Sequence, residues 1–371
     1  MKTKAAVVYE VGKPIVVEEL ELDERPQVGE VLIRYTHAGL CHSDVHIAHG
    51  DMEARLPMVL GHEGAGIIED VGPGVTRVEA GDHVVCSFIP NCGVCRWCAS
   101  GQQAICDMGA TILEGYLPGD RWPFSGPKGR YGAMCMLGTF SQYAVIHKSS
   151  VVKVDDDLPL DKAVLVGCGV PTGWGSAVNA ANVRPGETVI VAGVGGIGIN
   201  AVQGARHAGA KNLIAIDPLP NKREKATELG ATHAVATAAE AGEIARSLTN
   251  GNGADKTIVT VGLVTQEIVT DAFDNTGKGG TVVLTGLNKF SEINIQLPGT
   301  IMTLWKKTVK GTLFGDCNPT YDIPKILGLY QAGDLKLDEI ITQTYTLDQV
   351  NEGYDDLLAG KNVRGVIIHE H

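Results

Sequence analysis

The stretch Thr188-Val-Ile-Val-Ala-Gly-Val-Gly-Gly-Ile-Gly198 decides the fold of the second half of this chain. Its first five residues are apolar and mostly β-branched, which predicts a buried strand. The turn Gly193–Gly198 fits the pattern G-x-G-x-x-G, with Gly196 and Ile197 inside it, and it opens a predicted helix over 197–208. Gly193 permits a tight turn, Gly195 lets backbone N–H groups approach a pyrophosphate, and Gly198 lets the helix pack on the strand. The pattern therefore predicts a dinucleotide site at this helix N-terminus.

Asp217 ends the next predicted strand, where its carboxylate would bind the adenosine ribose hydroxyls. A 2′-phosphate there would meet a like charge, so the residue favours NAD over NADP. Lys222 and Arg223 soften that preference, and we expect them to flank the adenosine or to face solvent. Strands are predicted at 213–216, 256–261 and 281–285, and helices at 222–229 and 265–273. Strands and helices that alternate in this way predict a parallel, doubly wound sheet.

The rest of the chain has a different pattern. Short β-branched runs at 5–8, 15–17, 31–35, 66–71 and 83–88 are separated by Gly and Pro turns, which predicts a twisted barrel or sandwich. Residues 107–138 show no clear periodicity, and their aromatic residues favour an ordered pocket wall. A helix is predicted at 323–332.

Length and charge limit the function classes. The 371 residues exceed one ordinary core, so two domains are expected. The formal net charge of −12 and the lack of a long basic run argue against a nucleic-acid partner. The sequence has no apolar run near the roughly 18 residues of a membrane span, and its first residues resemble a strand and not a secretory leader. We therefore expect a cytoplasmic protein.

Four of the nine cysteines lie in one loop with the spacing C-x2-C-x2-C-x7-C: Cys92, Cys95, Cys98 and Cys106. Four soft ligands on a short loop are typical of a closed tetrahedral zinc site with a structural role. The first three cysteines also match the opening of the bacterial ferredoxin pattern, but the last spacer is too long and no Cys-Pro follows. Zinc is therefore the preferred metal.

A second metal site is predicted around Cys41 and His62. A catalytic zinc takes three protein ligands and keeps one open position. Cys168 is the best third ligand because it lies at the predicted domain junction, where it would place the metal beside the nicotinamide, and Cys86 and Cys135 are its rivals. A buried free cysteine is the alternative for each of these residues.

Four segments together resemble the zinc-dependent medium-chain alcohol dehydrogenases: Gly39–His46, the G-H-E-x2-G-x5-G-x2-V run Gly61–Val75, the four-cysteine loop and the turn Gly193–Gly198. The runs Cys86–Cys98 and Leu165–Gly175 are similar to those of the nitrosoaniline-dependent enzymes of actinobacteria. Those enzymes are nicotinoproteins, which hold NAD(H) tightly and recycle it in place through an external acceptor such as mycofactocin.

The resemblance implies an α/β fold, with a GroES-like β-rich catalytic domain at 1–168 and 313–371 and a Rossmann NAD-binding domain at 169–312. It implies two zincs per chain, with the catalytic one on Cys41, His62 and Cys168 and with Glu63 close behind it. Oxidation of an alcohol to an aldehyde or ketone would follow, with hydride transfer to NAD.

The resemblance also assigns roles around Cys41. Ser43 would take the alcohol proton and His46 would relay it to water, since an imidazole titrates near neutral pH. Asp44 would accept from the ring N–H of His62. His42 stands where the family has a basic residue on the pyrophosphate, a contact that an imidazole makes only in part.

Further cofactor contacts are implied at the backbone of Gly286, Leu287, Thr312, Leu313 and Phe314, and Arg364 is expected to reach the pyrophosphate. Phe88, Met134 and Cys135 would line an apolar pocket for a small alcohol or aldehyde. Between Asp107 and Asp120 there is no Arg or Lys to anchor a glutathione adduct. Assembly as a homodimer or homotetramer is expected through 281–285 and 301–313.

Three alternatives stay open: an aldehyde dismutase, a glutathione-dependent formaldehyde dehydrogenase, and a non-enzymatic nucleotide-binding protein. A zinc-free quinone reductase is disfavoured by the ligand set.

Overall fold

The computed structural model describes residues 1–289, 291–293 and 295–371 of the chain. They form two compact units. The first contains Met1–Cys168, Asn318–Ala332 and Leu337–His371, and the second contains Gly169–Cys317 and Gly333–Lys336. Residues 313–317, which the sequence analysis placed with the catalytic domain, lie in the second unit. The reason is local packing, because Gly315 leaves no room for a side chain against Gly175 and Cys317 contacts Pro171.

The strands are β1 (Lys2–Val8), β2 (Val16–Leu22), β3 (Glu30–Gly39), β4 (Met58–Val59), β5 (Glu63–Val71), β6 (His83–Cys86), β7 (Phe124–Gly126), β8 (Gly129–Ala133), β9 (Tyr143–His147), β10 (Val151–Lys153), β11 (Thr188–Ala192), β12 (Asn212–Ile216), β13 (His233–Val235), β14 (Ala254–Val259), β15 (Thr276–Leu284), β16 (Thr308–Gly311), β17 (Ile341–Thr346) and β18 (Arg364–Ile368). The helices are α1 (His42–His49), α2 (Arg96–Ala99), α3 (Leu160–Ala163), α4 (Gly169–Gly175), α5 (Gly198–His207), α6 (Pro220–Glu228), α7 (Ala238–Leu248), α8 (Gln266–Asn275), α9 (Gly299–Leu304), α10 (Pro319–Gln331) and α11 (Val350–Leu358).

The first unit is β-rich, as the sequence predicts. A closed barrel runs in the order β1-β2-β7-β8-β4, and a second sheet runs in the order β10-β6-β5-β3-β18-β17, with β9 also paired to β3. Strand β3 is central to this sheet, since Gly39 pairs with Glu63 of β5 and with Val366 of β18. The end of β3 thus brings the residues around Cys41 beside those around His62.

The second unit is a parallel sheet in the order β13-β12-β11-β14-β15-β16, which confirms the doubly wound prediction. Apolar side chains bury α7 against β11 and β12, and α8 against β14 and β15. Helix α7 begins at a capping box formed by Thr237 and Glu240, and the Thr265 side chain caps α8.

Several elements differ from the sequence prediction. Strands β7 and β8 lie inside 107–138, where no periodicity was found, because they are too short to repeat a pattern. Helix α7 and strands β13 and β16 were not predicted. Strand β15 lies between β14 and β16, so residues 281–285 are not a sheet edge and only β16 offers one on that side. Among the described residues, no helix is long and apolar enough to cross a bilayer.

Candidate active site and metal centres

Four buried side chains of the first unit converge at the end of β3. Cys41, His62, Glu63 and Cys168 each offer a ligand atom, and these atoms lie within 4.8 Å of one another. Cys41 precedes α1 directly, Glu63 is the first residue of β5, and His62 immediately precedes that strand. Of the three candidates for the third ligand, the structure brings Cys168 into this group.

The donor set fits zinc. Tetrahedral coordination at 2.0–2.3 Å places neighbouring ligand atoms about 3.3–3.8 Å apart, which is compatible with the observed cluster. His62 Nε2 is buried and has no hydrogen-bond partner in the described part of the chain, as expected for a metal-binding nitrogen. The Cys168 thiol donates to Cys41 and, with the His62 ring, holds the pKa of Cys41 well below its ordinary value, so that a thiolate is favoured there.

Glu63 forms a buried ion pair with Arg364, at the start of β18. The side chains are 0% and 4% exposed, respectively. Burial opposes the charged guanidinium, but Glu63 and the two cysteines raise the pKa of Arg364 above its ordinary value. Arg364 is expected to reach the pyrophosphate, and that contact stays a prediction; in the structure its guanidinium is paired with Glu63. This pairing was missed because the two residues are 301 positions apart.

The Asp44 carboxylate lies beside the His62 ring nitrogen Nδ1. Its Oδ1 accepts the backbone N–H of Gly61 at 2.9 Å, and its Oδ2 lies 3.2 Å from His62 Nδ1. Burial opposes protonation of His62, while Asp44 and Cys41 raise its pKa well above the ordinary value. With Nδ1 directed at the carboxylate, Nε2 is the nitrogen available to a metal.

Helix α1 also carries the predicted proton path. Ser43 Oγ lies 3.8 Å from Cys41 Sγ. His46 is buried, and its Nδ1 lies 3.0 Å from Asp51 Oδ2. Asp51 is not among the predicted site residues, although a carboxylate just after the helix was a usable signal. The His42 ring lies 5.1 Å from that of His46, and burial followed by the His46 charge lowers its pKa.

The predicted pocket residues lie in the same unit. The Phe88 ring meets His62 edge to face with centroids 5.9 Å apart. Met134 and Cys135 are buried, and the backbone N–H of Cys135 donates to the Ile112 carbonyl at 2.9 Å. Burial raises the pKa of the Cys135 thiol to about 12, so it is protonated at neutral pH.

The four-cysteine loop forms a second cluster, with its sulfur atoms also within 4.8 Å of one another. The sulfurs of Cys92 and Cys98 are 3.9 Å apart, and those of Cys95 and Cys106 are 4.0 Å apart. Backbone N–H groups donate to these sulfurs, and the one from Cys98 is the first cause that lowers the pKa of Cys95 to about 6. Four sulfurs at these separations fit a tetrahedral zinc.

The glycine turn of the second unit has the geometry that phosphate binding needs. Gly193 has φ +85°, a β-carbon at Gly198 would lie 1.8 Å from the Gly193 carbonyl oxygen, and a β-carbon at Gly195 would meet nothing within 4 Å. Asp217 accepts the N–H groups of Val194 and Leu219, each at 3.0 Å. Its carboxylate therefore ties the turn to the end of the neighbouring strand.

Lys222 is 6% exposed, so it does not face solvent. Burial lowers its pKa, and Asp217 opposes this shift. The guanidinium of Arg223 donates to the carbonyls of Asp217 and Pro218, each at 2.8 Å.

The expected carboxamide contacts follow the carboxyl ends of β15 and β16. Gly286 and Leu287 come after β15, and the Leu287 carbonyl accepts the N–H of Val264 at 3.1 Å. Thr312 follows β16 and donates from its hydroxyl to Asp316 at 2.7 Å, while Phe314 is buried. Since carboxyl ends of parallel strands share one edge, these residues lie on the edge of the sheet that carries Gly193 and Asp217.

Comparisons with known proteins agree with this description. The family described as "Alcohol dehydrogenase GroES-like domain" matches residues 27–156, and "Zinc-binding dehydrogenase" matches residues 196–332. The NDMA-dependent alcohol dehydrogenase of Amycolatopsis methanolica is 63% identical over 369 residues, which cover 100% of this chain and 99% of that protein. Alcohol dehydrogenase B of Mycobacterium tuberculosis is 46% identical, with 99% and 98% covered.

A similar solved structure is benzyl alcohol dehydrogenase from Acinetobacter calcoaceticus, with a TM-score of 0.92, 29% identity and full coverage of both chains. The chain is an enzyme that oxidises small-molecule alcohols with zinc and NAD(H). It belongs to the zinc-dependent medium-chain alcohol dehydrogenase family.

Proposed function

We propose that the chain oxidises its alcohol at the group formed by Cys41, His62 and Cys168, and that NAD(H) stays bound and is reoxidised in place by an external acceptor. The observation that carries the proposal is that these ligand-type side chains are buried together, with their ligand atoms within 4.8 Å of one another. Cys41 also directly precedes α1, the helix that carries Ser43 and His46. A nucleotide-binding protein without activity has no need of that combination.

Zinc, when bound, acts as a Lewis acid that lowers the pKa of the alcohol hydroxyl, and NAD accepts the hydride. The chain's own residues handle the proton. Ser43 takes it from the alcohol, and His46 carries it onward to solvent while Asp51 orients the ring through Nδ1. Asp44 keeps His62 in the tautomer that offers Nε2 to the metal.

Retention of the coenzyme is supported by the 63% identical relative, which is named NDMA-dependent, because a coenzyme that stays bound needs such an added compound to reoxidise it. In the cell a redox carrier such as mycofactocin would serve as the acceptor. We propose a location in the reducing cytoplasm, because the cysteines form no disulfide among the described residues and six of them lie in the two candidate metal sites. We propose a homodimer or homotetramer, in which the exposed edge strand β16 would pair.

The test is to purify the protein without added nucleotide and to record its absorbance before and after unfolding. We expect a reduced-nicotinamide band and release of about one NAD(H) per chain, as a single tight site requires. Alcohol turnover should need an added nitroso acceptor. Absence of released NAD(H), or normal turnover with free NAD, would refute the proposal. Incubation with aldehyde alone separates this function from dismutation, which would yield alcohol and acid together.

One observation favours a second candidate, oxidation of the glutathione adduct of formaldehyde. Residues 107–120 hold no Arg or Lys, but the exposed Arg55 lies against this loop. The backbone N–H of Arg55 donates to the Leu113 carbonyl at 3.1 Å, and its guanidinium lies 4.1 Å from the ring centroid of Trp122, just after this loop. Turnover of S-hydroxymethylglutathione that is lost in Arg55→Ala would establish this activity, and no turnover of the adduct by the wild type would exclude it.

A further inference from the structure

Asp44 lacks a full set of hydrogen bonds. Its carboxylate is 0% exposed, so both oxygens need donors to offset the loss of water. Oδ1 accepts the Gly61 N–H at 2.9 Å. Oδ2 lies 3.2 Å from His62 Nδ1 but makes no hydrogen bond of good geometry with any residue that the structure describes. A carboxylate oxygen can accept two hydrogen bonds, and Oδ2 therefore has capacity for another donor.

Tyr354 on α11 has a buried hydroxyl that lacks a hydrogen-bond acceptor among the described residues. The residue is 6% exposed, and its Oη has no hydrogen-bond partner among the described residues. A buried hydroxyl without a partner has lost its hydrogen bonds to water and gained none in return, so such a group is rarely left in a protein interior. Tyr354 thus offers a donor without a partner among the described residues, and Asp44 offers an acceptor with free capacity; both lie in the first unit.

Shared neighbours place the two groups together. Tyr354 and Val45, the residue after Asp44, line the same pocket. The Tyr354 ring lies 6.2 Å from that of Phe140, whose backbone is packed against Gly61, the second partner of Asp44. Burial and then the charge of Asp44 raise the pKa of Tyr354 well above its ordinary value, so the hydroxyl keeps its proton.

We propose that the Tyr354 hydroxyl donates a hydrogen bond to Asp44 Oδ2 and thereby positions the carboxylate that holds His62 as a metal ligand. Tyr354 is a positioning residue, because it acts on the metal site only through Asp44 and His62. The proposal rests on the zinc site of the proposed function. It adds a hydroxyl from the C-terminal helix α11 to the support of that site.

The test is Tyr354→Phe, which removes only the hydroxyl. Loss of a group behind a metal ligand typically costs 10–100-fold in metal affinity, so we expect chelator to remove the catalytic zinc about tenfold faster. The zinc of the four-cysteine loop should leave at the wild-type rate, and it serves as an internal reference for general loosening. Tyr345→Phe is the matched control, because that hydroxyl is bonded to Asp356 and Asn362 instead.

A double-mutant cycle with Asp44→Asn distinguishes an effect of Tyr354 that acts through Asp44 from a general effect of Tyr354 on packing. If Tyr354 acts through Asp44, then Tyr354→Phe should change zinc release less than twofold in the Asp44→Asn background. An equal effect in both backgrounds would overturn the proposal. So would unchanged release from the single variant, or equal acceleration at both zinc sites. A wild-type protein that holds only one zinc would overturn the proposed function together with this one.

Discussion

Protonation of His369 should make the first unit sensitive to acid. The ring is buried, and its Nε2 lies 2.9 Å from the Thr139 carbonyl oxygen. Because a carbonyl only accepts, Nε2 carries the proton of the neutral ring. Nδ1 has no hydrogen-bond partner among the described residues. A second proton at Nδ1 would therefore create a buried charge without an acceptor, and burial lowers the pKa of His369 to about 4.

The size of the effect follows from that shift. In the unfolded chain the histidine pKa is about 6.5. Between pH 6.5 and 4 the unfolded chain binds more protons than the folded one, so stability falls as the pH falls. The whole shift is worth about 3 kcal/mol, of which about 2 kcal/mol is lost between pH 7.5 and pH 5. For a unit of 150–250 residues, 2 kcal/mol lowers Tm by about 4–8 °C.

His369→Gln tests this reasoning, because the glutamine amide can donate to Thr139 but does not titrate. Tm would be measured by calorimetry at pH 7.5 and pH 5 with zinc in both buffers. We expect the drop in Tm to be about 4–8 °C smaller in the variant than in the wild type. His207→Gln, which changes an exposed ring of the second unit, should keep the wild-type drop. Equal drops in the wild type and His369→Gln would refute the argument.

Three further changes test the site. Asp51→Asn removes the carboxylate that orients His46, so kcat for alcohol oxidation should fall about tenfold or more. Added imidazole should restore part of this activity. A loss of kcat that no added base restores would argue against the proton relay. Cys98→Ser should remove one zinc per chain by metal analysis and lower Tm while the other zinc stays, and retention of both metals would contradict a structural zinc there. Glu63→Gln leaves Arg364 buried without the carboxylate of its ion pair. The free energy of unfolding should therefore fall by about 3–5 kcal/mol, which thermal unfolding would show as a lower Tm. An unchanged Tm would mean that the ion pair contributes little.

Local pattern was enough to predict the parallel sheet of the second unit, although not all of its elements. The strand Thr188–Ala192 was predicted with the bounds that the structure has, because β-branched residues and a glycine turn both act over a few positions. Helix α7 was missed because its alanine-rich face has few large apolar residues to mark a period. The three-residue strands β7 and β13 carry too little pattern to be recognised.

The spacing of residues along the sequence predicted only part of the candidate site. Cys41 and His62 could be paired from the sequence, but the choice of Cys168 over Cys86 and Cys135 depended on a resemblance, since it is set by how β3, β5 and the turn before Cys168 meet. The pairing of Glu63 with Arg364 depends on strand order in the sheet. The strand order is a property of the whole unit, so the residues near Glu63 or Arg364 in the sequence do not predict it.

The return of the chain end to the first unit determines when the site can be completed. Arg364 leaves the ribosome 301 residues after its partner Glu63, which takes about 15–60 s at 5–20 residues per second. The second unit is nearly continuous in sequence and can fold during that interval, whereas strand β3 must wait for β18. Until then the nascent chain carries Cys41 and His62 without their final enclosure. We therefore expect these two ligands to be more accessible to oxidants and to other metals before β18 pairs with β3 than afterwards.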